Sequence, residues 1–356
     1  MKTANDFRLQ MPTWLIDEWF PLGHRIMDVA PEGSFKTQLG IWIAICVAAG
    51  KPIFGMDVCQ GPAIIFDEET PPASLDNIIS RFCKGLGIKF GPNLPLYRFS
   101  MMGFRFGKKA LLKDLIDIVK VIKPVFIRMD SLLAMIPNGG NDGMGENHSR
   151  LGEMVRDDLT AILSVLNNDC TIMLAAHAKK YVSNMTLEQV EEGEMQALIR
   201  GHGSIVGEGC DTGLAIHKET HYPDPTRFSV LTKPRRTGIP AANYPMLIEL
   251  EEESYSNGWA KLTRIDNSLI PPSEHACSLY PYFARRNGSG FPVRTSEEIV
   301  KKHAFMTKPQ IREGMHELFK RKVLLNCAMP QTFTLNANEH EVPAYYLNIL
   351  KTKKTI

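Results

Sequence analysis

The chain is poor in the features that mark membrane proteins and disulfide scaffolds. Its seven cysteines, Cys46, Cys59, Cys83, Cys170, Cys210, Cys277 and Cys327, are odd in number, widely spread and form no C-x-x-C pair, so neither a disulfide framework nor a zinc site is expected. Long apolar runs are lacking too. The longest, Ile41 to Ala49, falls far short of the roughly 20 residues that span a bilayer and reads as a core helix. The start, Met1-Lys2-Thr3-Ala4-Asn5-Asp6, leads into no apolar stretch of secretory type, so a cytoplasmic protein with no membrane partner is expected. Charge of one sign is scarce: 41 Lys and Arg against 39 Asp and Glu leave a net +2, which confines any nucleic-acid footprint to a local patch. There is no internal repeat and no low-complexity tract.

What remains is a globular composition, 44% hydrophobic and 22% charged, which permits a sizeable core. Strand and helix signals alternate from about Ile26 to Leu262, the pattern of an α/β fold with a mostly parallel sheet. The strands are continuous apolar runs, as buried strands should be: Arg25 to Val29, Ala63 to Phe66, Val125 to Met129 and Thr171 to Ala176, with further candidates at Gly213 to His217, Phe228 to Thr232 and Met246 to Leu250. Thr37 to Ala49, Ser74 to Leu86 and Gly152 to Asn167 carry helical periodicity. Two polar, turn-rich segments, Pro137 to Gly145 and Lys179 to Gln196, follow strand ends, where α/β proteins place functional loops. Ile270-Pro271-Pro272-Ser273 is the best linker. The expected domains are therefore 1–268 and 269–356.

The segment Ala30-Pro31-Glu32-Gly33-Ser34-Phe35-Lys36-Thr37 lies between a strand and a helix. A phosphate-binding loop needs backbone N–H groups curled around phosphates, a lysine for the β/γ-phosphates and a hydroxyl for Mg²⁺. Lys36 and Thr37 stand correctly for the last two roles, and Gly33, Ser34 and Phe35 bring main-chain donors. Ala30 and Phe35 replace the glycines of G-x-x-x-x-G-K-[ST], yet a helix N-terminus attracts anions whatever side chain precedes it. Taken alone, the segment is also compatible with an ordinary strand-to-helix turn.

Downstream signals follow in order. The strand from Ala63 ends in Asp67-Glu68-Glu69-Thr70-Pro71-Pro72, where a carboxylate is placed to polarise an attacking water or simply to sit at a helix N-terminus. The next run ends in Asp130-Ser131, with Asp130 the candidate for holding Mg²⁺ together with Thr37; the alternative is a turn aspartate. Thr171 to Ala176 ends at His177, with Lys179 and Lys180 beyond, a polar tip able to sense the γ-phosphate; a lone histidine is otherwise structural.

In this order the motifs resemble RepA-type hexameric replicative helicases and related RecA-like AAA ATPases of plasmids and phages, over roughly Leu15 to Leu250. The resemblance implies a RecA-like P-loop core and ATP with Mg²⁺ as cofactors. It selects Glu69, ahead of Pro71-Pro72, as the catalytic base. It makes Ala176-His177-Ala178-Lys179-Lys180 the counterpart of a His-His-x-x-Lys element whose first histidine is lost. Arg200, in Arg200-Gly201-His202-Gly203-Ser204, is similar to the arginine that completes a neighbour's site, and Arg235 and Arg236 resemble a basic element near the nucleotide. A finger supplied in trans implies a homo-oligomer, with a hexameric ring the first expectation.

Toward the C-terminus, Thr295-Ser296-Glu297-Glu298 and Thr307-Lys308-Pro309-Gln310 punctuate two short helices, and Val323 to Asn326 and Thr332 to Leu335 are placed to pair as a wing. Between 296 and 322, seven Lys or Arg face four Glu, and Lys308 and Arg312 are candidate phosphate contacts. A small winged-helix-like α+β domain is expected, for DNA or for protein docking. The sequence thus reads as a Mg-dependent ATPase acting on single-stranded or duplex DNA, with Lys36, Glu69, Asp130, His177 and Arg200 catalytic and Lys179 and Lys180 near nucleic acid. The alternatives are an ATP-switched DNA-binding regulator or helicase-loading partner, and a non-hydrolysing P-loop scaffold.

Overall fold

The computed structural model describes residues 13–136, 148–185, 189–190, 198–199, 209–218, 226–234, 246–253, 258–265, 279, 293–294, 310–311, 314–315, 318, 324–326 and 332–335. The chain divides into two compact units, Met1–Ile265 and Asp266–Ile356.

The first unit opens with a small antiparallel pair, β1 (Trp14–Ile16) and β2 (Phe20–Pro21), and then builds a nine-stranded sheet. Its strands are β3 (Arg25–Ala30), β4 (Ala63–Asp67), β5 (Leu96–Ser100), β6 (Phe126–Asp130), β7 (Thr171–His177), β8 (Thr212–Lys218), β9 (Arg227–Pro234), β10 (Met246–Glu252) and β11 (Ala260–Ile265). The spatial order is β11-β10-β9-β8-β3-β7-β6-β4-β5. From β8 to β5 every pairing is parallel, while β8 to β11 are joined antiparallel. The expected mostly parallel sheet is therefore present, with an antiparallel flank.

The intervening helices are α1 (Lys36–Ala49), α2 (Pro72–Gly85), α3 (Lys109–Ile122), the single turn α4 (Leu132–Met135) and α5 (His148–Val165). The sheet's two faces are covered separately. Alternation along the strands sends Ile26, Ala30 and Phe126 toward α1 and α2, and Met27, Val29, Ile127 and Met129 toward α3 and α5. Helix α1 is apolar all round and buried from Leu39 to Ala48, which is what a helix enclosed by sheet and neighbours requires. β5 and α3 were not among the expected elements. β5 is an edge strand whose Tyr97 and Arg98 are exposed, so it lacks the continuous apolar run of its neighbours.

In the second unit β12 (Val293–Arg294), β13 (Leu324–Asn326) and β14 (Thr332–Leu335) form a sheet of order β12-β14-β13. β13 and β14 are antiparallel, the pairing expected of the two C-terminal strand stretches.

Candidate active site

All residues of the central site sit at the carboxyl ends of parallel strands. β3 runs into the phosphate loop, β4 ends near Glu69, β6 ends at Asp130 and β7 at His177. β7 lies between β3 and β6, and β6 lies between β7 and β4, so four segments far apart in sequence share one edge.

The loop turns at Gly33, with φ 72°, and at Phe35, with φ 63°. Glycine takes that left-handed conformation at little cost, whereas phenylalanine does not. Phe35 is held by stacking on Phe228 of β9 at 5.1 Å between ring centroids, with the Lys218 ammonium 5.9 Å from its ring. Phe35 caps α1 without a side-chain acceptor, and the helix's first turn contains no acidic residue. Its N-terminal amides are therefore arranged for an external anion.

Lys36 is buried, and its ammonium donates to the carbonyls of Ala30 at 3.1 Å and Pro31 at 3.3 Å. Burial lowers its pKa against the opposing pull of Asp28 and Asp130. The Thr37 hydroxyl donates to Asp130 Oδ2 at 2.8 Å, so two hard oxygen ligands converge from α1 and β6. That donor set fits Mg²⁺.

The acidic turn after β4 sorts its three carboxylates. Asp67 is fully buried and accepts the amides of Glu69 at 2.9 Å and Thr70 at 2.7 Å through Oδ1, which shapes the turn. Burial pushes its carboxyl above the ordinary range. Glu68 accepts the amides of Gly103 at 2.9 Å and Phe104 at 3.2 Å, and its side chain is 3% exposed. Glu69, 42% exposed, faces the other way: it accepts from the Ser131 hydroxyl, and His177 Nε2 lies 3.4 Å from the same oxygen. His177 foremost, with Ser131, holds the Glu69 carboxyl below its ordinary pKa. A carboxylate that is ionised, accessible and oriented has the properties of a general base.

Beneath these groups lies a cluster that the sequence reading did not single out. Arg128, in the middle of β6, is 1% exposed. Its guanidinium donates to Asp28 of β3 at 2.5 Å, to Asp130 Oδ2 at 3.1 Å and to the Lys36 carbonyl at 3.3 Å. Burial alone would lower the Arg128 pKa, but the two carboxylates hold it above its ordinary value; burial also pushes Asp28 up. The available signal was a cation and an anion inside two otherwise apolar strands.

Beyond β7, the Lys179 amide donates to the Leu198 carbonyl at 2.8 Å and its ammonium lies 5.9 Å from the Tyr181 ring. Lys180 is exposed and opens a 3-10 turn, Lys180–Asn184. The candidates Arg200, Arg235, Arg236, Lys308 and Arg312, and the segment 137–145, lie outside the described residues.

A phosphate loop, a shared threonine–aspartate oxygen pair and an accessible glutamate on an α/β core define a nucleotide-dependent P-loop ATPase. The chain belongs to the AAA domain family, whose model matches residues 2–181. Among solved structures it is similar to a KaiC-like protein of the hyperthermophilic archaeon Pyrococcus horikoshii, at 15% identity, with a TM-score of 0.45, over 71% of this chain and 94% of that one. No curated protein matches the sequence. Among the described residues no helix is long and apolar enough to cross a membrane.

Proposed function

We propose that the protein is a RecA-like, Mg-dependent ATP-hydrolysing motor that acts on nucleic acid, most closely of the RepA-type replicative helicase kind. The observation that carries the ATPase part is the convergence of Lys36, Thr37, Asp130 and Glu69 on one sheet edge. The loop amides from Gly33 to Thr37 and the Lys36 ammonium bind the phosphates, Lys36 leaving its loop carbonyls to do so. Thr37 and Asp130 hold Mg²⁺, which when bound neutralises phosphate charge. Glu69 orients and deprotonates the attacking water, and His177, beside Glu69 at the end of β7, links the γ-phosphate's presence to the turn Lys180–Asn184.

The nucleic-acid part rests on the motif order and on two basic regions, Lys179 with Lys180, and the segment carrying Lys308 and Arg312. In this reading residues 269–356 form a winged-helix-like module, Arg235 and Arg236 approach the nucleotide, and Arg200 completes the site of a neighbouring subunit in a ring of identical chains. The test is ATP turnover with and without single-stranded DNA. Stimulation by DNA, lost in Lys36→Ala, supports a motor. Turnover indifferent to DNA overturns the nucleic-acid reading, and Mg·ATP binding without turnover reassigns the protein as an ATP-controlled switch or scaffold.

A further inference from the structure

Among the charged side chains on the α1 face of the sheet, Asp28, Arg128 and Asp130 form one bonded cluster. Period-2 alternation puts Phe126, Arg128 and Asp130 of β6 on one side of the strand, while Ile127 and Met129 point to the other. Asp28 lies two strands away across β7, flanked in register by Ala175 and Leu214. Small Ala175 belongs to the strand that the guanidinium must pass over. From β6, Arg128 reaches Asp28 at 2.5 Å and turns its other terminal nitrogen to Asp130 Oδ2 at 3.1 Å. That Asp130 oxygen is the one bonded to the Thr37 hydroxyl.

Helix α1 is shaped around this arrangement. A Cβ at Gly40 would collide with the Arg128 guanidinium, and the Lys36 carbonyl of the same helix accepts from Arg128 at 3.3 Å. Among the described residues Arg128 Nε and Asp28 Oδ2 have no hydrogen-bond partner, so the side chains are fixed by the bonds at their other atoms and by packing. An isolated buried guanidinium is unfavourable, and one bonded to two carboxylates and a carbonyl is compensated. None of this is needed merely to fill space: a core position between Phe126 and the sheet edge would ordinarily be aliphatic.

We propose that Arg128 is a positioning residue for the Mg²⁺-holding aspartate, and that Asp28 tunes it by competing with Asp130 for the single positive charge. Arg128 fixes Asp130 toward Thr37 and ties both to α1. Because its charge is divided, Asp130 keeps enough negative potential to hold a cation. The triad as a whole carries one net negative charge, which is what the cation meets. The proposal rests on the ATPase reading above.

The charge division gives two substitutions opposite signs. Asp28→Asn keeps the shape and leaves the guanidinium's whole charge to Asp130, so more Mg²⁺ is needed. Arg128→Gln keeps a neutral amide donor for Asp130 but removes the positive charge and leaves two carboxylates, so less is needed. The double variant restores the original net charge.

The experiment is equilibrium binding of a fluorescent ATP analogue to the full chain, titrated with Mg²⁺, with binding in EDTA and the melting temperature measured alongside. Asp28→Asn is expected to raise the Mg²⁺ half-saturation at least roughly tenfold, the scale of a unit charge about 10 Å away at an effective dielectric of about 20. Arg128→Gln is expected to lower it, and the double variant to fall between them. In EDTA the phosphates meet the same charges without the cation, so binding is expected to move the opposite way, tighter in Asp28→Asn and weaker in Arg128→Gln. Should one single variant fail to fold, the other still reads the sign. Unchanged Mg²⁺ dependence in a folded single variant, or shifts in the same direction for both, overturns the proposal alone. Absence of Mg²⁺-dependent nucleotide binding in the unmodified protein overturns the ATPase reading and the proposal together.

Discussion

At the scale of single residues, neighbouring side chains of one type take different roles because their hydrogen bonds differ. Glu68 and Glu69 are adjacent carboxylates, yet one is consumed by the amides of Gly103 and Phe104 and the other looks into the site. Glu68→Gln should therefore act on the segment after β5 and lower the melting temperature, while Mg·ATP affinity stays within about twofold; a melting curve and a binding isotherm separate these effects. His177 gives a pH signature. Glu69 is held below its ordinary carboxylate value, chiefly by His177, so it is ionised at neutral pH and loses its basic form only as pH falls through its lowered value. His177→Ala removes that bond. The acid limb of the turnover profile should move to higher pH, and an unmoved limb would show that Ser131 alone sets it. The loop with Lys36 and Thr37, and Asp130 and His177, stood out in the sequence because each follows an apolar run, whereas Glu69 was separated from its acidic neighbours Asp67 and Glu68 only by the family resemblance. Arg128 and Asp28 were not read, since a single charge inside such a run looks incidental until the sheet order brings the two together.

At the scale of elements, the phosphate loop is held by aromatic packing where a second glycine is usual. Phe35 adopts a positive φ that costs of order 1 kcal/mol, and its stack on Phe228, together with the buried area, offsets that cost. Phe35→Gly removes strain and stack at once. We expect a net loss of stability of about 1–2 kcal/mol and faster nucleotide release, checked by urea unfolding and stopped-flow displacement. A more stable Phe35→Gly would show that the stack contributes little. The join between β3 and the start of β8 is a second such point. The Arg25 guanidinium grips Asp211 through two bonds at 3.0 Å, and the Arg25 amide adds a third at the same distance. Burial alone would raise the Asp211 pKa, but these bonds prevail and hold it below its ordinary value of 3.8. The sign follows: the stabilisation is complete above that ordinary value and is lost as pH falls through the lowered one. Asp211→Asn should cost about 1–3 kcal/mol at neutral pH and flatten the acid side of the stability curve below about pH 4, measured by urea midpoints. The strands β3, β4, β6 and β7 were readable as elements for the reason that makes them central, burial on both faces. The edge strand β5 shows no such run. Helix α3 does carry the spacing of an amphipathic helix, with Leu112, Leu115, Val119 and Ile122 turned to the core.

At the scale of the whole molecule, the sheet gathers residues from Gly33 to His177 onto one edge, while its antiparallel flank, β8 to β11, lies on the other side of β3 and meets the phosphate loop through Phe228 and Lys218. That geometry explains why chemistry could be read from motif order and why assembly could not: ring formation and strand contact depend on surfaces that carry no comparable pattern. A near-zero net charge implies that DNA contact, if it stimulates turnover, is local and saturates with few phosphates, so its salt dependence should be shallow. The claim on which the rest depends is that this edge hydrolyses ATP with Glu69 as its base. The most direct measurement is single-turnover hydrolysis of Mg·ATP by the full chain and by Glu69→Gln, with ATP affinity determined for both. Equal affinity and a rate at least about 100-fold lower in the variant are expected; equal rates in the two proteins would contradict Glu69 as the base.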